Sequence, residues 1–249
     1  MVDSIKDFYE RKYTEGTEIA RSSKRFTLEC VPDVGALDIL DVGCGSGENS
    51  AVLAAKGHRP VGIDISEEAI RRYRARGFDG FTMDLERGLD FPDCRFDLVF
   101  CSEVIEHMMF PEKLASEMAR VLKPGGRLVL STPNSAFWLY RLLAVLGYTV
   151  SELQHPKHVQ FFSLRSLRAV LRQGGFDIKE SFGRNMYVIV CDMRPPFDAV
   201  LRGLGFQKET RFRTKGSFWH LSHRSRFWNA LFADTLICVA TRPASSGGH

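Results

Sequence analysis

Residues Ile39-Leu40-Asp41-Val42-Gly43-Cys44-Gly45-Ser46-Gly47 read ILDVGCGSG, an apolar run that ends in three glycines at every second position. Ile39, Leu40 and Val42 are apolar strand formers with Asp41 as the one charge among them, so the segment reads as a buried strand. Gly43, Gly45 and Gly47 let the backbone turn sharply and come close to a ligand. The helix expected over 48–56 presents backbone N–H groups at its start. The dinucleotide fingerprint G-x-G-x-x-G needs glycine at position 48, where this chain has Glu48. Asp41 stands two residues before the first glycine and is expected to point into the crevice beyond the strand. A carboxylate there repels a pyrophosphate and suits an ammonium group.

S-adenosylmethionine carries such an ammonium and no phosphate, and the stretch resembles motif I of the class I S-adenosylmethionine-dependent methyltransferases. The next segments extend the pattern. HRPVGIDIS (58–66) reads as a second strand ending at Asp64, which lies 21 residues after Gly43. That spacing places an acid at the ribose hydroxyls, and a carboxylate accepts two hydrogen bonds from a vicinal diol. Residues 67–76 form a helix, with Arg71, Arg72, Arg74 and Arg76 as a solvated face. GFTMDL (80–85) is a third strand, RFDLVFC (95–101) a fourth and 111–122 an amphipathic helix. LKPGGRLVLSTPN (122–134) is a turn and a fifth strand. A K-P-G-G turn before an apolar strand is typical of the same family, so the resemblance covers 36–134. It implies an α/β, Rossmann-like class I methyltransferase fold, a seven-stranded mostly parallel sheet with helices on both faces. It also implies a cofactor site at the carboxyl ends of the strands. Asp41, Gly43, Cys44, Gly45 and Gly47 would face the methionine end and Asp64 with Ile65 the ribose. Asp84 and Leu85 would face the adenine, and Cys101, Ser102 and Glu103 the mouth of the fourth strand.

Glu103, Glu106 and His107 are spaced i, i+3, i+4 and share one face if a helix begins at Ser102. E-V-I-E-H, with T-P-N after the fifth strand and a later histidine, resembles two metal-using groups. One is the O-methyltransferases of ubiquinone biosynthesis; the other is the 2′-O-methyltransferases that act on small-RNA 3′ ends. The later ligand is His158 or His155. Two carboxylates and one or two imidazoles suit Mg²⁺, Mn²⁺ or Zn²⁺ with open positions, which lowers a hydroxyl's pKa and aims its oxygen at the methyl group. The competing reading has Glu106 facing solvent and His107 acting directly as a base or sitting as a core histidine.

The 249 residues suffice for a sizeable core and read as one domain: a helical cover (1–35), a cofactor-binding core (36–134) and a substrate-side half (135–249) with an insertion over 186–228. Phe8, Tyr9 and Tyr13 share a face of the first of two short helices that break near Gly16. Tyr9 or Tyr13 is placed to close the site or to pack on the core. Six cysteines without C-x-x-C pairs fit reduced thiols and a cytoplasmic location. The charged N-terminus does not read as a signal peptide, and no apolar run reaches the roughly 18 residues of a membrane span. Residues 136–148 (AFWLYRLLAVLGY) are a lid over an apolar substrate, a surface-skimming helix or an ordinary packed helix. A helix over 163–174, a sixth strand from Gly175, a closing strand over 234–241 and a disordered end complete the chain.

The net charge of +4 is uneven: 202–226 holds seven basic residues against Glu209, or +6, leaving −2 elsewhere. The aromatics interleaved there, Phe206, Phe212, Phe218 and Trp219, suit RNA, an anionic membrane surface or an anionic metabolite. His158-Val-Gln-Phe-Phe matches the small-RNA group only in part. The expected function is therefore methyl transfer to a small-molecule acceptor, at a hydroxyl oxygen. The alternatives are RNA 3′-terminal 2′-O-methylation, a non-catalytic cofactor-binding regulatory module and, distantly, a nicotinamide dehydrogenase.

Overall fold

The computed structural model describes residues 5–15, 25–155, 157–189, 207–210, 217–221 and 233–244. In chain order the helices and strands are α1 (Ile5–Thr14), α2 (Arg25–Leu28), β1 (Asp38–Val42), α3 (Glu48–Ala55), β2 (Arg59–Asp64), α4 (Glu67–Ala75) and β3 (Asp79–Thr82). Then come β4 (Phe96–Ser102), α5 (Pro111–Val121), β5 (Leu122–Pro133), α6 (Trp138–Val145), α7 (Val150–Leu153) and α8 (Leu164–Gln173). The remaining strands are β6 (Asp177–Ile189), β7 (Gln207–Thr210), β8 (Ser217–Leu221) and β9 (Ala233–Thr241).

They form one sheet in the order β3-β2-β1-β4-β5-β9-β6-β8-β7. β3 to β5 pair in parallel, while β9 runs antiparallel to both β5 and β6. β3 through β6 are thus the seven-stranded, mostly parallel sheet that the sequence predicts. β7 and β8 add two antiparallel strands beyond β6, so part of the expected insertion continues the sheet. The other insertion residues, including Arg202, Arg211, Arg213, Lys215, Arg224 and Arg226, lie outside the described residues, as do Gly16 and the end of the chain from 245.

The period of two along the strands divides the core. Leu40, Val42, Val99, Leu128 and Leu130 pack with Leu114, Met118, Leu167 and Leu171 of α5 and α8. The intervening Ile39, Leu98, Phe100 and Val129 pack with Leu28, Val31 and Leu53 on the opposite face. Helix starts follow local chemistry: Ser66 and Ser163 accept N–H bonds at the heads of α4 and α8, and Pro111 opens α5. The strand order reverses between β1 and β4, so their carboxyl ends splay apart and leave a crevice.

Tyr73 of α4 holds the β1–α3 turn from beneath, and sequence reasoning missed it. Its hydroxyl donates to Ser50 Oγ at 2.8 Å, and Ser50 donates to Asp41 Oδ2 at 2.7 Å. The buried ring fits only because three neighbours are glycines: a Cβ on Gly62 would lie 2.4 Å from Tyr73 Cζ and one on Gly80 2.7 Å from Cδ1. At Gly47 (φ +92°) it would lie 2.9 Å from Cδ2. Gly62→Ala is therefore expected to cost about 1–3 kcal/mol by overpacking; an unchanged urea midpoint would contradict this packing.

Two local expectations are corrected. β3 ends at Thr82, so Asp84 caps a short 3₁₀ turn (Leu85–Arg87) instead of lying in a strand. No helix begins at Ser102: that residue ends β4, and only a 3₁₀ turn over Ile105–His107 follows. In α6, Trp138, Leu139, Tyr140 and Leu143 are half-buried, while Val145 is 83% exposed and Leu142, Leu146 and Tyr148 are exposed beside it. Among the described residues, no helix is long and apolar enough to cross a membrane.

Candidate active site

The turn after β1 is fastened to β2 by its own backbone. The N–H groups of Gly43 and Cys44 donate to the Ile63 carbonyl at 2.8 and 3.0 Å. Gly43 has φ +68°, and a Cβ there would meet Val104 Cγ2 at 2.3 Å, so this position needs glycine on two counts. Asp64, buried at the end of β2, accepts from Gly45 N–H through Oδ2 and from Ser66 N–H through Oδ1, each at 3.0 Å. Burial pushes its carboxyl above the usual range, against the Ser66 and Gly45 donors and the positive charge of Lys12. One carboxylate thus fixes both the glycine turn and the loop that carries Ile65.

Asp41 is buried under the same turn and accepts the Ser50 hydroxyl. Asp84 accepts from Glu86 N–H at 3.1 Å and pairs with Arg87 at 3.3 Å. At the mouth of β4, Cys101 is buried, and burial pushes its thiol well up. Ser102 Oγ lies 2.8 Å from Ser131 Oγ, and Ser131 donates to Glu103 Oε1 at 3.1 Å. Since Ser131 spends its proton on Glu103, Ser102 donates to Ser131. Glu103 has φ +61°, a left-handed conformation that is strained for a side chain of this size.

The kink at Glu103 separates it from the two residues it was expected to join. Glu106, 1% exposed, accepts from Thr132 Oγ1 at 3.0 Å, and its carbonyl accepts from Val159 and Gln160 N–H at 2.9 and 3.0 Å. Those backbone bonds bring His158 in, its Nε2 4.0 Å from Glu106 Oε1 and its Nδ1 3.2 Å from Gln154 Oε1. Ligand atoms of Glu106, His107 and His158 lie within 4.8 Å of one another. Glu103 is outside this set, which corrects its assignment as a metal ligand. The alternative, His155, points Nδ1 at Lys157 N–H at 3.2 Å.

His107 is held at both ring nitrogens. Nδ1 lies 2.9 Å from the Lys157 carbonyl, and Nε2 lies 2.9 Å from the Tyr9 hydroxyl. A carbonyl only accepts, so Nδ1 bears the proton, Nε2 presents its lone pair, and Tyr9 donates. Burial lowers the imidazole's pKa to about 4, opposed by the Lys157 carbonyl and assisted by His155 and Lys12. The result is a neutral base aimed at a hydroxyl. Tyr13 is buried, and its carbonyl accepts from Arg72. Ser50, Ser66 and Lys157, which position the site, carried no sequence signal because each acts through a fold-made contact; Thr132 was visible only as part of T-P-N.

A family model described as a methyltransferase domain matches residues 11–181. A ubiquinone biosynthesis O-methyltransferase of Xylella fastidiosa is 36% identical over 163 residues, covering 61% of this chain and 65% of the relative. The chain therefore spans a little under two thirds of the length of such relatives. A chain from the complex between the Haloferax volcanii Trm112 methyltransferase activator and its methyltransferase superposes with TM-score 0.66 at 20% identity, covering 96% of this chain and 100% of that one. Burkholderia thailandensis 1,6-didemethyltoxoflavin-N1-methyltransferase, solved with its substrate and S-adenosylhomocysteine, gives TM-score 0.60 at 15% identity, covering 96% and 87%. At these identities the two structures speak to the fold alone.

Proposed function

We propose that this chain, which belongs to the methyltransferase domain family, transfers the methyl group of S-adenosylmethionine to a hydroxyl oxygen of a small molecule. The observation that carries this reading is His107, a neutral imidazole whose Nε2 already accepts a hydrogen bond from a hydroxyl at 2.9 Å. The cofactor would lie across the carboxyl ends of β1, β2 and β4. The Gly43–Gly47 turn and Asp41 would meet its methionine end, Asp64 and Ile65 its ribose, and Asp84 with Leu85 its adenine. Cys101, Ser102 and Glu103 would line the mouth of β4 beside the sulfonium. When bound, the cofactor supplies an electrophilic methyl group. His107 would take the acceptor's proton as its oxygen gains the methyl, with Lys157 stabilising the imidazolium at Nδ1. The rest of the catalysis is positioning. The name of the Xylella relative, an O-methyltransferase, supports oxygen as the target. The exposed apolar residues of α6 support an acceptor with an apolar part. The basic segment on which the RNA alternative rests lies largely outside the described residues.

Amide exchange on S-adenosylhomocysteine binding tests the placement. Protection is expected at 43–47, 64–66 and 101–107; none at 101–107 would separate His107 from the cofactor and end the reading.

A second reading is favoured by the gathering of Glu106, His107 and His158 within 4.8 Å. One carboxylate and two imidazoles fit Zn²⁺ or Mn²⁺ with positions left open, and Mg²⁺ less well because it prefers oxygen ligands. A metal there would polarise the acceptor oxygen, with Thr132 orienting Glu106 and Gln154 orienting His158. Calorimetric titration of Zn²⁺ and Mn²⁺ into chelator-stripped protein decides it. On this reading a stoichiometric heat appears and is lost in Glu106→Gln and His158→Gln; no heat leaves His107 as the direct base.

A further inference from the structure

Tyr9 and Glu10 are neighbours on α1 and grip opposite sides of the site. Tyr9 donates to His107 Nε2, and its ring meets the imidazole edge to face, centroids 5.7 Å apart at 84°. Phe8 meets the Tyr9 ring edge to face with centroids 5.3 Å apart, and Lys12 Nζ lies 5.2 Å from the Tyr9 centroid. Glu10 turns toward the head of α4, where Oε2 accepts from Ser66 Oγ at 2.7 Å and Oε1 from Glu68 N–H at 3.1 Å. Ser66 is the residue whose N–H donates to Asp64. One helix therefore bridges from the loop at Asp64 to the lone pair of His107.

We propose that the Tyr9 side chain holds the acceptor's place at His107, so that α1 is a strap which each acceptor must displace at its Tyr9 end. This rests on the reading of His107 as the base that receives the acceptor hydroxyl. Nε2 has one lone pair in the plane of the ring, and the Tyr9 hydroxyl uses it. An acceptor oxygen approaching the same atom competes with a tethered phenol, whose effective concentration lies in the millimolar range or above. The competition is specific in kind: an aryl ring against the His107 edge with its hydroxyl on Nε2 is what a free phenol would reproduce. Glu10 sets how firmly the strap is held, although it does not touch that position.

The probe is 4-methylphenol, the tyrosine side chain without its backbone, titrated calorimetrically into the full chain saturated with S-adenosylhomocysteine. Tyr9→Ala is expected to bind it at least about tenfold more tightly than wild type. Glu10→Gln, which keeps Tyr9, is expected to bind it about threefold more tightly by loosening the far anchor. Tyr9→Ala/His107→Gln is expected to lose the gain. A Tyr9→Phe variant keeps the ring, and amide exchange across α1 is expected to rise about fivefold with the hydroxyl removed. No gain for Tyr9→Ala, including no detectable binding, overturns the proposal, as does unchanged α1 exchange in Tyr9→Phe. A gain that survives His107→Gln overturns the assignment of His107 as the acceptor's partner, and the strap with it. If Tyr9→Ala shows no gain while methyl transfer still depends on His107, only the strap falls.

Discussion

His107→Gln is expected to lower kcat by about 10²–10⁴-fold while S-adenosylhomocysteine binding stays within about twofold of wild type. The imidazole is fixed by the Lys157 carbonyl at Nδ1, so its lone pair needs no reorientation before taking a proton. Glutamine can occupy the space and donate to that carbonyl, but it cannot accept a proton in the transition state. The same environment sets the pH dependence. The groups that face His107 are Tyr9 and Lys12 from α1, Glu106 from its own turn, and His155 and His158 from the following loop. With its pKa lowered to about 4, His107 is neutral at pH 7, and its contribution to the rate is expected to hold down to about pH 5 and fall below that. The folded value lies below the unfolded one near 6.5, so between about pH 6.5 and 4 the unfolded chain binds the proton first. The stability contributed by keeping His107 neutral is therefore present above about pH 6.5 and lost as pH falls through 4. It is on the order of 3 kcal/mol. Urea unfolding of wild type and His107→Gln across this range measures it; parallel curves would contradict the assignment.

Asp64→Ala is expected to weaken S-adenosylhomocysteine binding by about 100-fold and to destabilise the fold by about 2–4 kcal/mol, through two separate losses. The carboxylate is the expected acceptor for the ribose hydroxyls, and it is also the acceptor for Gly45 and Ser66 N–H. Alanine leaves both donors buried and unsatisfied, which releases the glycine turn and the head of α4 together. Asp64→Asn keeps one acceptor oxygen but turns its NH2 toward the other backbone donor, so it is expected to recover at most about half of the stability and only part of the binding. Calorimetry and urea unfolding on the three proteins separate the two losses. Equal affinity in Asp64→Ala would remove Asp64 from the cofactor site.

The sheet was legible because its signals are local. ILDVGCGSG, HRPVGIDIS and LKPGGRLVLSTPN each carry their own apolar runs and turn residues, and parallel strands joined by helices leave few possible orders. The two strands added beyond β6 were not visible, since 207–210 and 217–221 have short, mixed patterns that pairing alone turns into strands. At the site, residue types were readable but their grouping was not. E-V-I-E-H suggested a helical face, yet the chain leaves β4 through a left-handed Glu103, and the i, i+3 relation is lost. His158 could be separated from His155 only by backbone bonds between Glu106 and the 159–160 segment. Tyr73 escaped notice because its role depends on three glycines from three different turns and strands. Tyr9 was visible as an aromatic that could close the site, but its partner lies 98 residues away.

Methyl-¹³C S-adenosylmethionine, incubated with a mixture of phenols, alcohols and amines, gives a product whose ¹³C NMR spectrum reports the atom methylated. Wild-type protein and His107→Gln are compared side by side. The label is expected in a methoxy carbon, with wild type at least about 100-fold faster than the variant. Label found only on nitrogen or carbon, or methoxy product formed equally fast without His107, would contradict it.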